Sequence, residues 1–213
     1  MASYTVRQGD CISSIADEAG FFWETLWNHP NNARLKRLRK NPNTLLPGDE
    51  IFIPEKRFKE EQCAATKRHR FRIKGIPVKL NLRFNDAANQ PRKDIPYTLT
   101  VDGQAMQGKL DGDGKLSHVI KPNAKRAKVT LKPPGESEES YDFNLGHMNP
   151  VDDIHGIQSR LQNLGHYKPL QLSGEMDEDT AEAIRRFQAE AGLEVTGDSD
   201  SATLDTLMQR HGG

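Results

Sequence analysis

Long apolar runs are missing from this chain. No stretch approaches the roughly 20 apolar residues that span a bilayer, so a membrane-crossing helix is not expected. A secretory leader is not expected either, because "MASYTVRQGD" has no basic n-region and no apolar h-region. The expectation is synthesis in the cytoplasm without a signal peptide. Delivery to the periplasm or the outside would then need a route other than the general secretory one. Apolar residues are scarce: 35% of the 213 residues are hydrophobic and 7% aromatic. That is little for one large core and suits two or three small domains, which bury less of their surface. Net charge is zero, with thirty Lys and Arg against thirty Asp and Glu, so no general affinity for polyanions follows. Cysteine is nearly absent. Cys11 and Cys63 are read either as reduced thiols, the rule in the cytosol, or as a disulfide in an oxidising space.

The charge is unevenly spread. Residues 1–70 hold 12 Lys/Arg and 9 Asp/Glu, and residues 71–150 hold 13 and 9. Residues 151–213 hold 5 and 12, a net charge of −7. Such a break between segments fits separate modules. Residues 56–70, "KRFKEEQCAATKRHR", are charged with few apolar anchors and read as a linker. A basic run of this kind is usually a solvated surface. Without interleaved aromatics or a motif it gives no reason to expect nucleic acid.

In the first module, "YTVRQGD" alternates Tyr4 and Val6 with polar residues, as a strand does. Asp10 stands where a helix N-cap would be. "CISSIADEA" puts Ile12, Ile15, Ala16 and Ala19 on one helical face, and Gly20 is a natural stop. "FFWETLWNH" reads as a second short helix anchored by Phe22 and Leu26 with Trp23 and Trp27, broken by "HPNN". "ARLKRLRKNPNTLLPGD" reads as a basic turn and loop. "EIFIPE" is a second strand, with Ile51 and Ile53 alternating. On "YTVRQGDCISSIA" and "NPNTLLPGDEIFIP" the segment 3–55 resembles a LysM domain, although Cys11 stands where that family usually has Thr or Ser. The resemblance implies a βααβ fold that binds N-acetylglucosamine glycans. It places the groove where Gly9, Asp10, Cys11 and Ile12 face Thr44, Leu45, Leu46 and Pro47. Small and glycine positions would let backbone groups reach the N-acetyl amide, and Ile12 and Leu46 would receive its methyl. The alternative is that Gly9 and Gly48 only make turns and Ile12 is core.

The middle section changes period. "IPVKLNLRF" alternates Val78, Leu80, Leu82 and Phe84 with polar residues, a strand with one buried face. "IPYTLTVDGQAMQGKLDGDGKLSHVIKP", "AKVTLKPPG" and "YDFNL" supply further strands, with Asp102-Gly103 and "DGDG" as hairpin turns. Short strands and turns without helices between them predict a small antiparallel β-sandwich. The stretch resembles sandwich modules found between binding domains of bacterial surface and secretion-associated proteins, and that likeness names no ligand.

The chain then turns helical. "DDIHGIQSRLQNLGH" carries Ile154, Ile157, Leu161 and Leu164 at helical spacing, with Gly165 as the stop. "DEDTAEAIRRFQAEAGL" puts Thr180, Ala183, Ile184 and Phe187 on one face, with Gly192 as the stop. "DSDSATLDTLMQRH" is a third helix that buries Leu204 and Leu207. On "IQSRLQNLGHY" and "SGEMDEDTAEAIRRFQAEAGLEVTGDSDSATLDTL", residues 151–210 resemble the three-helix type of peptidoglycan-binding domain. At the first turn Ser173 and Asp177 replace that family's usual Asp and Gly. The resemblance implies a second peptidoglycan site at Tyr167, Asp177 and Thr180.

Catalytic patterns are few. "HMNPVDDIH" gathers His147, Asp152, Asp153 and His155. That spacing matches no ligand motif, and Asp152 or Asp153 is better placed to cap the helix that follows. "DGDG" lacks the later ligands of a calcium loop and reads as a turn. No nucleophile elbow, phosphate loop or dinucleotide fingerprint occurs. Glu138-Glu139 lies in a polar loop, where a raised carboxyl pKa is not expected. No metal and no cofactor is therefore expected.

The reading is an α+β multidomain chain: 1–55 LysM-like, 56–70 linker, 71–148 β-sandwich, and 149–213 a three-helix bundle. The expected function is non-catalytic binding of peptidoglycan. Weak modules on one chain gain avidity of ~10²–10⁴-fold where both can engage. The module set resembles accessory proteins of type VI secretion and other contractile injection systems, which implies a cargo or adaptor role with spike or effector proteins as further partners. Two alternatives stand beside it. The modules serve as protein–protein contacts inside such an assembly, or the chain is a wall hydrolase or toxin with chemistry in residues 71–150.

Overall fold

A computed structural model describes residues 2–56, 66–68, 78–86 and 88–211. Most of the expected linker, with Cys63, lies outside the described residues. Among the described residues, six α-helices and eight strands give an α+β architecture. Its contacts divide it into two units. One comprises Met1–Tyr4, Ile12–Asn32 and Ile51–Leu145. The other comprises Thr5–Cys11, Ala33–Glu50 and Gly146–Gly213.

β1 (Ala2–Thr5) and β2 (Glu50–Ile53) form a two-stranded sheet. The apolar face read from the sequence folds as α1 (Ile12–Ala19), which buries Ile12, Ile15 and Ala16 and also Ser14. Gly20 ends it at φ +71°, and the Phe21 amide donates back to the Ala16 carbonyl at 2.8 Å. α2 (Trp23–Trp27) buries Leu26 and Trp27. Phe22, expected as an anchor, instead occupies the N-cap position and is 54% exposed, because the helix starts one residue later. Asn32 is the polar fastener of this region. It is 2% exposed, its Nδ2 donates to the carbonyls of Leu26 and Phe52 at 2.9 Å each, and its Oδ1 accepts from the Phe52 amide at 2.8 Å.

The regular elements described in residues 78–145 of the first unit are all strands. The strands are β3 (Val78–Arg83), β4 (Pro96–Val101), β5 (Gln104–Lys109), β6 (Lys115–Ile120), β7 (Arg126–Leu131) and β8 (Glu139–Asn144). β3 pairs with β6, and a second sheet runs β5-β4-β7-β8, every pairing antiparallel. Period-2 alternation sends Tyr97, Leu99 and Val101 inward from β4 and Ala127, Val129 and Leu131 inward from β7. They join Phe84 and Leu116 in one core cluster, so both sheets share a core. Asp102-Gly103 makes the β4–β5 turn with φ +45° and +85°, as the sequence signal requires. The "DGDG" turn is closed by the Asp111 carboxylate, which accepts from the Asp113 and Lys115 amides at 2.9 and 2.8 Å. The Tyr97 hydroxyl lies 2.7 Å from His118 Nε2, a polar link between the two sheets.

In the second unit, α3 (Ala33–Arg39) occupies a stretch read from the sequence as loop. Ala, Leu, Arg and Lys are good helix formers, but Leu35 alone is buried, so no apolar period announces the helix. α4 (Ile154–Asn163), α5 (Glu178–Ala191) and α6 (Ser201–His211) fold close to the expected bounds. Their core cluster contains Ile157, Leu161, Tyr167, Ala183, Ile184, Phe187 and Leu207, with Leu204 partly buried against it. Asp153 caps α4 by accepting from the Gly156 amide at 3.2 Å, and Gly192 ends α5 at φ +72°.

Candidate functional site

Two turns in the helical region are built alike, around two buried glutamines that sequence reasoning missed. Gln158 on α4 and Gln188 on α5 are both 0% exposed. Gln158 Nε2 donates to Ser173 Oγ, the Glu175 carbonyl and Thr180 Oγ1 at 2.8, 3.0 and 2.7 Å, while its Oε1 accepts from the Gly174 amide at 2.9 Å. Gln188 Nε2 donates to Thr196 Oγ1, the Asp198 carbonyl and Thr203 Oγ1 at 3.0, 3.1 and 2.9 Å. Its Oε1 accepts from the Thr196 and Gly197 amides at 3.0 and 2.9 Å. The signal was present in the sequence: "SGEMDEDT" and "TGDSDSAT" share a hydroxyl residue, Gly, an acid, Asp two further on, and Thr three after that. The shared Asp caps the helix in each copy. Asp177 accepts from the Thr180 amide and Asp200 from the Thr203 amide, both at 2.8 Å. Hydrogen bonding to Thr180 and Ser173 holds the Asp177 carboxyl below the usual carboxylate range. Ser173, a departure from the family pattern, thus supplies the hydroxyl that Gln158 holds.

These bonds fix the places of the second set of sequence-predicted residues. Thr180 is fully buried, and its hydroxyl donates to Asp177 Oδ1 at 2.6 Å and faces the Glu175 carbonyl at 3.1 Å. Tyr167 is 4% exposed and belongs to the helical core. Asp177 is half-buried beside them in its capping role. The surface of the same loop carries other side chains. Leu170 is 97% exposed and Met176 44% exposed.

Burial also shapes the charges of this region. Arg160 on α4 is 1% exposed, and its Nη1 donates to the carbonyls of Asn149 and Gly156 at 2.8 and 2.9 Å. Burial pushes its guanidinium down to about 10, partly offset by Asp152. The His211 imidazole is pushed down to about 4 by burial and by the Arg160 charge. His166, beside Phe187, is also pushed down by burial.

In the N-terminal turns, Val6 and Gly48–Asp49 exchange backbone bonds: the Val6 amide donates to the Asp49 carbonyl at 2.8 Å and Gly48 to the Val6 carbonyl at 2.9 Å. This brings the Gly9–Asp10–Cys11 turn and the Thr44–Pro47 turn into the same unit. Asp10 Oδ2 accepts from the Arg7 amide at 2.9 Å. Asp49 organises the other turn, accepting from the Leu46 amide at 3.0 Å and from Arg39 Nε and Nη2 at 2.8 Å each. Gly9, Thr44 and Leu45 are buried, Asp10, Cys11 and Leu46 half-buried, and Pro47 exposed. Ile12 is 0% exposed and lies in the core of α1.

The "HMNPVDDIH" residues go separate ways. His147 Nδ1 lies 3.5 Å from Gln8 Nε2, Asp152 lies 3.9 Å from Arg39 Nη1, and Asp153 caps α4. A Cβ at Gly174, which has φ +73°, would strike the His155 ring. Among the described residues no group of three His, Cys, Asp or Glu is placed to hold a metal ion, and no helix is long and apolar enough to cross a membrane. Two clefts lie in the β region. One, of about 680 Å³, is bordered by Met106, Val119 and Pro122, and one, of about 560 Å³, by Thr100, Lys128 and Asp142.

Residues 151–207 match the family model described as "Putative peptidoglycan binding domain". The match spans both glutamine-held turns and all of α4 and α5. No curated protein and no solved structure matches the chain.

Proposed function

We propose that this chain binds peptidoglycan without cleaving it, with residues 151–207 as the principal wall-binding module. The observation that carries this reading is the match of that segment to a peptidoglycan-binding model. The buried Gln158 and Gln188 bonds support it, because they hold two turns of the segment in fixed shape and a rigid surface loses less entropy on binding. The contact surface assigned here is the Lys168–Met176 loop, where Leu170 and Met176 stand exposed over a base fixed by Gln158. Apolar side chains of this kind suit the ring faces and methyl groups of an N-acetylated glycan.

The N-terminal turns are the second binding element in this reading. They have the residue types that the LysM resemblance implies, and Asp49 and Arg39 give the Leu46 turn a fixed shape. The whole chain is then an accessory or adaptor component that brings a contractile secretion assembly to the wall. One observation favours the alternative of protein docking. Residues beside the two N-terminal turns are already in contact with another part of the chain, at Gln8–His147 and Arg39–Asp152.

Co-sedimentation with purified sacculi tests the reading. The whole chain is expected to pellet with the sacculi and to leave no released muropeptides in the supernatant. Release of muropeptides would establish a hydrolase instead. A chain that stays in solution would move the search to protein partners.

A further inference from the structure

The segment Gly146–Asp152 touches the first turn of the N-terminal groove and reaches Arg39, which holds the second, all within one unit. At the first turn, Gly146 sits at φ +75° with its backbone against Gly9. A Cβ there would lie 2.6 Å from the Gly9 carbonyl oxygen and 3.1 Å from its carbon. Next to it His147 Nδ1 meets Gln8 Nε2 at 3.5 Å. At the second turn, Arg39 grips the Asp49 carboxylate with two bonds of 2.8 Å, and Asp49 in turn holds the Leu46 amide. The same guanidinium reaches Asp152 at 3.9 Å. Asp49, Asp152 and Asp153 all raise the Arg39 pKa, with the Asp49 bond the largest cause. One seven-residue segment therefore leans on Gly9 and, through Arg39, on the turn that carries Leu46.

Each tie is individually weak. The Gln8–His147 contact is long and exposed. The Asp152 side chain is 49% exposed, where a single ion pair is worth little. The Gly146 contact is backbone against backbone and depends on the absence of a side chain. Such a contact is suited to opening. It also covers the Gly9 carbonyl, one of the backbone acceptors that a sugar amide would use in this groove.

We infer that Gly146–Asp152 is an intramolecular latch over the Gly9 end of the N-terminal groove, and that its docking competes with an N-acetylglucosamine oligosaccharide. The inference rests on the reading of that groove as a glycan site. The latch ties sugar binding to the position of the helical region, because Asp153 begins α4 directly after the segment. A force or a partner that pulls the helical region away would open the groove. Wall binding by the module at 151–207 would then prepare the second element to bind.

The test uses the whole chain and two variants. Gly146→Val adds a β-branched side chain at positive φ, directly against Gly9. Asp152→Lys places a cation beside Arg39 at a half-exposed position. Hydrogen exchange at residues 146–152 reports release of the segment. Amide NMR shifts at Gly9, Asp10, Cys11, Leu45 and Leu46 report titration with N-acetylglucosamine tetrasaccharide. If the groove is open about a tenth of the time in the native chain, a released variant should bind about tenfold more tightly at those amides. Equal or weaker binding by a released variant overturns the latch while the glycan reading stands. No shift at these amides in the native chain or in the released variants overturns the glycan reading, and the latch with it. Unchanged exchange at 146–152 in both variants also overturns the latch, because a latch must open.

Discussion

Replacing Gln188 by methionine would keep the length of the side chain and remove every polar atom. The buried amide serves three backbone groups: the amides of Thr196 and Gly197 and the carbonyl of Asp198. The Thr196 amide keeps a second bond, to the Glu194 carbonyl at 3.2 Å, so the substitution strips the Gly197 amide and the Asp198 carbonyl, at a cost on the order of 1 kcal/mol each. The sum is about 2 kcal/mol, with no cavity term because methionine fills the volume. A domain of this size unfolds with a midpoint change of about 4 °C or more per kcal/mol, so the loss should be about 8 °C or more. The measurement is thermal unfolding followed by helical circular dichroism. Exchange of the Gly197 amide would localise the effect. Gln209→Met on the exposed face of α6 is the control and should change stability by less than about 0.5 kcal/mol. A loss of under about 1 kcal/mol for Gln188→Met would refute the view that the glutamine holds the turn. Gln158→Met should lose somewhat less, since its Oε1 accepts one backbone amide, that of Gly174, where Gln188 accepts two.

Asn32→Ala should cost about 2–3 kcal/mol, because the Phe52 amide and carbonyl lose their partner in a buried site, while the Leu26 carbonyl keeps its bond from the His29 amide. Urea unfolding followed by tryptophan fluorescence would measure it, as Trp27 is buried in the neighbouring helix. The helical region should weaken in mild acid. Burial lowers the pKa of both His166 and His211, the latter from 6.5 to about 4. The unfolded chain therefore binds more protons in that window, so stability is full above pH ~6.5 and falls as the pH drops towards 4. Melting curves across that range should show the fall, and His211→Asn should flatten it.

Helices with a broad apolar face could be read directly from the sequence. Thr180, Ala183, Ile184 and Phe187 recur at helical spacing and are all buried on α5. The same holds for Ile12, Ile15 and Ala16 on α1, and the Asp102-Gly103 turn required its positive φ values. α3 was hidden because a helix that buries Leu35 alone has no period to detect. Phe22 misled because an apolar residue at a helix start can as well face solvent as core. The candidate site was harder. Gln158 and Gln188 look like surface residues until the fold buries them. Their partners lie 15 to 22 residues away for Gln158, and no local rule joins positions so far apart. Thr180 and Tyr167 matched a motif, yet the motif recorded what the scaffold needs: one supports a turn and the other fills the core. The contact of Gly146 with Gly9 joins residues 137 positions apart, and only the folded chain reveals it.

The most direct test of the central claim is a residue-resolved titration of the labelled whole chain with a soluble disaccharide–peptide muropeptide. The account expects amide shifts concentrated in Lys168–Asp177, around Leu170, Met176 and the Gln158-held turn, with saturation as ligand is added. No shift anywhere in residues 151–207 at millimolar ligand would contradict it.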